Sequence, residues 1–151
     1  IGDSAMFMFN APFNQVGFVD RAVAASIDIQ RAMLNINRSL QEEHGFQMPL
    51  GIGIATGPVV VGSIGSHRYM DYTPIGDTVN LASRLNGVAG PGEIVVDRGT
   101  VERSSRMLDA RAMGLKLRRR KQAIRFGFSG EMMHNLKGKG AVPCRKVVFR
   151  V

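Results

Sequence analysis

The stretch Asp71-Tyr72-Thr73-Pro74-Ile75-Gly76-Asp77-Thr78-Val79-Asn80-Leu81-Ala82-Ser83-Arg84-Leu85 joins a strand-like run to a helix that presents Asn80 and Arg84 together. Positions i and i+4 share a helix face. Asp77 stands where a capping residue is expected as the helix starts, and the guanidinium of Arg84 offers a rigid fork of donors that matches phosphate oxygens. Taken alone, an Asn and an Arg on one helical face read most simply as solvated surface, because both residue types are mostly exposed. What surrounds them decides between the two readings.

Upstream lie two strands rich in Ile and Val, at about 50–56 and 58–64, containing Gly51-Ile52-Gly53-Ile54-Ala55-Thr56-Gly57 and Val60-Val61-Gly62-Ser63-Ile64-Gly65. Their glycines lack the spacing of a dinucleotide fingerprint, and no Gly-Lys-Ser/Thr follows, so they read as packing and turn residues. Residues 17–44 form a long amphipathic helix, with Val19, Val23, Ile27, Met33, Leu34 and Leu40 near helical period and Gly45 as its stop. Ser4–Phe9 is a strand, preceded by a tight hairpin turn at Gly2-Asp3. Downstream, the helix from Thr78 to about Val88 ends at Ala89-Gly90-Pro91-Gly92, and Glu93–Val96 is a short buried strand. Two strands, about 124–136 and 144–151, close the chain on either side of a Lys137-Gly138-Lys139-Gly140 turn. This order suits a single α/β unit over 1–151, a two-layer α+β sandwich of ferredoxin-like kind with its helices packed on one face of the sheet.

At 151 residues and 44% apolar content the chain can bury one ordinary core. No apolar run approaches the roughly 20 residues that a membrane helix needs. The single Cys144 cannot form an internal disulfide, which suits a cytoplasmic setting, and it reads as a small buried residue of the last strand. His44, His67 and His134 show no metal-ligand spacing. Charge is uneven: residues 1–97 hold five Lys/Arg against nine Asp/Glu, and residues 98–151 hold fifteen against three. The run Lys116-Leu117-Arg118-Arg119-Arg120-Lys121 exceeds what a triphosphate requires. It reads as a solvated surface or as a contact for an acidic partner segment, nucleic acid or an anionic membrane. A nucleic-acid-binding module is disfavoured, since Arg125-Phe126-Gly127-Phe128 only partly echoes the stacking pattern of RNA-binding sheets.

Ile1-Gly2-Asp3, the two glycine-bearing strands, the 71–85 stretch and Leu136-Lys137-Gly138-Lys139-Gly140 together resemble the catalytic domain of the class III adenylate and guanylate cyclases. The resemblance runs in order from residue 1 to about 102 and resumes near 130. It implies an enzyme that converts ATP to 3′,5′-cyclic AMP and pyrophosphate in intracellular signalling, at sites shared across a homodimer, with two Mg2+ or Mn2+ ions per site. Asp3 matches the second of the family's two metal aspartates, and a hard carboxylate suits those ions. Asn80 matches the asparagine that orients the ribose. Arg84 matches the arginine that stabilises charge on the phosphates in the transition state. Lys137, ahead of Lys139, matches the lysine that reaches the β and γ phosphates. Thr73 falls at a base-reading position, where Asp or Thr accompanies adenine and Cys or a relative accompanies guanine.

The family's other base-reading residue and first metal aspartate would fall upstream of Ile1. The resemblance therefore implies an N-terminally truncated domain, inactive alone, from a longer protein with upstream or regulatory parts that could include a membrane anchor. Two alternatives stand beside it: a guanylate cyclase, and a non-catalytic cyclase-like partner, against which the joint presence of Asp3, Asn80 and Arg84 argues. Relative to the family, about 104–122 is a basic insertion. With Met107, Leu108, Met113, Leu115 and Leu117 it reads as an extended helix.

Overall fold

A computed structural model of the protein describes residues 4–66, 69–105, 115–120, 123–128 and 145–150. In chain order the elements are β1 (Ser4–Met8), α1 (Phe18–His44), β2 (Leu50–Ala55), β3 (Val60–Ser66), β4 (Tyr69–Ile75), α2 (Asp77–Val88), β5 (Glu93–Asp97), α3 (Arg98–Arg103), β6 (Leu115–Arg120), β7 (Ala123–Phe128) and β8 (Arg145–Arg150). Among the described residues, six strands form one sheet in the order β1-β8-β2-β5-β7-β6, and β3 pairs with β4 as a separate antiparallel ribbon. Neighbours from β1 to β5 run parallel, and β5, β7 and β6 are antiparallel.

The alternation of β2 organises the layers. Successive strand residues point to opposite faces. Leu50, Ile52 and Ile54, with Ile94 and Val96 of β5, form a core against Val19, Ala22, Val23 and Ile27 of α1. On the reverse face, Ala55 and Val95 pack with Ala82, Leu85 and Ala89 at α2. The expected α+β sandwich of α1 on the sheet is present, and α2 adds cover on the other side rather than sharing the face of α1. Gly53 explains how closely it lies: a Cβ there would come within 2.3 Å of the Asn86 nitrogen and 2.7 Å of the Ala82 carbonyl oxygen. Side-chain-free backbone at this point is what lets α2 approach β2.

α1 runs from a left-handed Gly17 to a left-handed Gly45, whose N–H returns to the Gln41 carbonyl. Val19, Val23 and Ile27 are buried as expected, but Met33, Leu34 and Leu40 are only half-buried. The buried stripe continues through polar residues instead. Gln30 donates to the Leu50 carbonyl at 2.9 Å, while Asn37 both donates to and accepts from Met48, at 3.1 and 2.7 Å. Such bonds satisfy backbone groups at the entry to β2, which burial would otherwise leave costly.

The C-terminal part departs most from expectation. Leu115–Arg120 is a strand, paired antiparallel with β7, not part of an extended helix. Its alternating Leu115-Lys116-Leu117-Arg118 has the period of a strand, and a Lys/Arg-rich strand is well suited to a sheet edge, which it discourages from further pairing. The helix before it, α3, is short and is capped by Asp97, whose carboxylate accepts the Thr100 N–H. β7 and β8 are not neighbours: β8 lies between β1 and β2, parallel to both. The Lys137–Gly140 turn, Cys144, His67, His134 and the Gly2-Asp3 turn lie outside the described residues. His44 is exposed in the last turn of α1, stacked on Phe46 at 6.0 Å.

Candidate active site

β4 delivers the chain into α2 through a single residue, Gly76, with φ 146° and ψ 172°. That backbone conformation is open to glycine and strained for other residues. Gly76 is the N-cap, and no side chain caps the helix. The expectation that Asp77 caps it is therefore corrected: Asp77 is the first helical residue, where its charge still suits the positive end of the helix dipole. Thr78 anchors the first turn. Its hydroxyl donates to the Pro58 carbonyl at 2.9 Å and lies where a Cβ on Gly57 would meet it at 2.6 Å.

Thr78, Ala82, Leu85 and Asn86 form the buried face of α2. The opposite face holds Asn80 and Arg84, both exposed. One helical turn separates them, so their Cβ atoms stand roughly 6 Å apart. Neither side chain has a hydrogen bond or ion pair among the described residues. Thr73, half-buried on β4 opposite Gly62 of β3, lies one short connection before this helix.

Of the residues singled out from sequence, the fold thus brings Thr73, Asn80 and Arg84 onto one β4–α2 unit. Asp3 and Lys137 lie outside the described residues. Among the described residues there is no cluster of three or more His, Cys, Asp or Glu side chains able to hold a metal ion. No described helix is long and apolar enough to cross a membrane. Exposed apolar side chains on β3, β4 and α2 include Val60 (74%) and Ile75 (52%), paired across the β3–β4 ribbon, Tyr72 (49%) on β4 and Val88 (51%) at the end of α2. Sequence reasoning missed Thr78 as a positioning residue and Gly76 as the cap; the Gly-Asp-Thr order at the helix start was the available signal.

Residues 1–139 match the model of the adenylate and guanylate cyclase catalytic domain family. The chain belongs to this family. An adenylate cyclase of Mycobacterium tuberculosis is 35% identical to this cyclase domain over 102 residues, 68% of the chain and 22% of the relative. Adenylate cyclase 1 of Rhizobium meliloti is 38% identical over 88 residues, 58% of the chain and 13% of the relative. The cyclase domain thus spans about a fifth or less of the length of these relatives. Among solved structures, the guanylyl cyclase Cya2 superimposes with a TM-score of 0.61 at 28% identity, covering 81% of this chain and 63% of that one. The adenylyl cyclase CyaB from P. aeruginosa gives 0.62 at 25% identity, covering 80% and 64%.

Proposed function

We propose that this domain supplies the catalytic machinery of an adenylate cyclase, converting ATP to 3′,5′-cyclic AMP and pyrophosphate in the cytoplasm as part of a longer signalling protein. The observation that carries the reading is the exposed Asn80–Arg84 face, unpaired among the described residues, on a helix seated by Gly53 and Thr78. Relatives named adenylate cyclase support the choice of nucleotide, as does the threonine at position 73. In the reaction the ribose 3′-oxygen attacks the α-phosphorus; its proton leaves, the O3′–Pα bond forms and the bond from Pα to the β-phosphate oxygen breaks. Asn80 would hold the ribose in line, and Arg84 would donate to phosphate oxygens as charge builds on them. Thr73 would bind the adenine edge and Lys137 the terminal phosphates.

Asp3, immediately before β1 in sequence, would hold divalent cations. The donor chemistry fits, because Mg2+ is commonly bound by one or two carboxylates with substrate phosphates and water completing its shell. Bound there, Mg2+ or Mn2+ ions would supply Lewis-acid stabilisation of the transferring phosphoryl group. We read the site as shared between two copies of the chain. The exposed Val60 and Ile75, paired opposite each other on the β3–β4 ribbon, support this, since adjacent exposed apolar side chains mark association surfaces.

The test is complementation in the complete domain. Asp3→Ala and Arg84→Ala proteins should each be inactive and should regain activity when mixed, because one composite site of a heterodimer keeps both residues. Random pairing makes about half of the dimers hetero, so recovery should approach roughly a quarter of wild-type cyclic AMP formation. No recovery despite demonstrated subunit exchange overturns the shared site. Faster turnover of GTP than ATP overturns the adenylate assignment and favours the activity in Cya2's name.

A further inference from the structure

A cleft of about 350 Å³ opens beyond the C-terminal ends of β1 and β2, with Phe9, Phe18, Pro58, Val59, Val61 and Arg103 among its lining residues. Its volume lies at the lower end of the range for small-molecule sites, and its walls are mostly apolar, with Asn10 and Thr56 adding polar atoms. One charged group enters it. Arg103, in the last turn of α3, is folded back along its own helix, so that its Nη1 lies 3.1 Å from where a Cβ on Gly99 would be. A larger residue at 99 would push the guanidinium away.

Among the described residues the nearby carboxylates form no ion pair with Arg103, although Asp97 Oδ2 lies as close to that Cβ position on Gly99, 3.1 Å, as the guanidinium does. Asp97 accepts from the Thr56 N–H, the Thr100 N–H and the Thr100 hydroxyl, at 3.2, 2.9 and 2.5 Å. Asp20 accepts the hydroxyls of Ser104 and Ser105 at 2.6 and 2.5 Å. Arg103 itself has no hydrogen bond or ion pair among the described residues. The rim is nonetheless firm, because Thr56 and Thr100 share a hydroxyl hydrogen bond at 2.7 Å that ties the end of β2 to α3.

We propose that this cleft binds a small ligand with an aromatic or similarly apolar body and one carboxylate head, the body against Phe9, Phe18, Pro58 and Val59 and the head on Arg103. A guanidinium matches a carboxylate in two parallel hydrogen bonds. The site is separate from the Asn80–Arg84 face but not mechanically independent of it. Its Gly57–Pro58 wall accepts the Thr78 hydrogen bond that seats the start of α2.

Phenylacetate is a suitable probe, titrated into isotopically labelled protein while the Arg103 Nε–H and the Val59 and Val61 methyl signals are followed by NMR. Saturable shifts with a Kd in the roughly millimolar range are expected for a ligand of this size. Phenylacetamide, of the same shape without the charge, should bind about tenfold more weakly, and Arg103→Gln should weaken phenylacetate by a similar factor. Val59→Trp, which fills the cleft, should abolish the shifts and serves as the second variant if Arg103→Gln perturbs the spectrum of the free protein. Shifts that grow without saturation, equal affinity for the acid and the amide, or binding that survives Val59→Trp would each overturn the proposal.

Discussion

Around β2 and β5 the sheet is flanked by Ile, Val, Ala and glycine, and the type of each packing element can be read from its own period. β6 and β8 enter the same sheet from a stretch that holds fifteen Lys/Arg against three Asp/Glu over residues 98–151. β8 also lies beyond residues 1–139, the span that matches the cyclase family, yet it sits between β1 and β2 near the centre of one half of the sheet. The contrast separates two kinds of information. Side-chain patterning names an element and its buried face, but its slot is decided by cross-strand neighbours that lie far away in sequence.

If the first region carries the chemistry, Arg84→Ala in the complete domain should lower kcat about 10²–10³-fold with little change in KM, since it removes a donor used mainly in the transition state. Steady-state kinetics with ATP checks this, and an unchanged kcat removes Arg84 from the site. If β8 is integral, Val148→Pro should destabilise by about 3 kcal/mol or more, because it deletes a ladder hydrogen bond inside the sheet. Lys116→Pro near the start of edge strand β6 should cost only about 1 kcal/mol. Equal denaturant midpoints for the two variants would break the comparison.

Packing within the first region can be sharpened with two glycines. Gly53→Ala puts a Cβ against the backbone of α2 and should cost about 1–3 kcal/mol, whereas Gly62→Ala meets nothing within 4 Å and should stay within about 0.5 kcal/mol. Thermal unfolding distinguishes them. The smallest effect is expected from neutralising the second region: changing Arg118, Arg119 and Arg120 to Gln should alter stability by no more than about 0.5 kcal/mol each and leave kcat for ATP unchanged. A tenfold loss of activity would bring that strand into the site.

Much of the site's local frame was legible. The i, i+4 spacing of Asn80 and Arg84, the strand run before them and the stop at Ala89–Gly92 all follow from short-range geometry. Gly51 and Gly53 were readable as packing glycines, though not what they pack against. The capping role was misread because Asp77 and Gly76 compete for adjacent positions, and the backbone requirement at Gly76 outweighed the side-chain preference for Asp. The stretch around Leu115 was misread as helix because its basic residues are good helix formers. Pairing with β7 overrode that propensity.

By itself, then, the amino-acid sequence determined the identity of α1, α2, β2 and β5, the exposed Asn80–Arg84 pair, and the family whose motifs those residues share. Only the tertiary structure decided that α2 covers the face opposite α1, that Thr78 seats it on Pro58, that β8 enters between β1 and β2, and that Arg103, without a partner among the described residues, lines a cleft beyond β2. The physical reason is range. Periodicity, caps and turns act within about one turn of chain, where sequence neighbours are spatial neighbours, whereas strand partners, opposed faces and unpaired charges depend on groups tens of residues away that meet only once the sheet has closed.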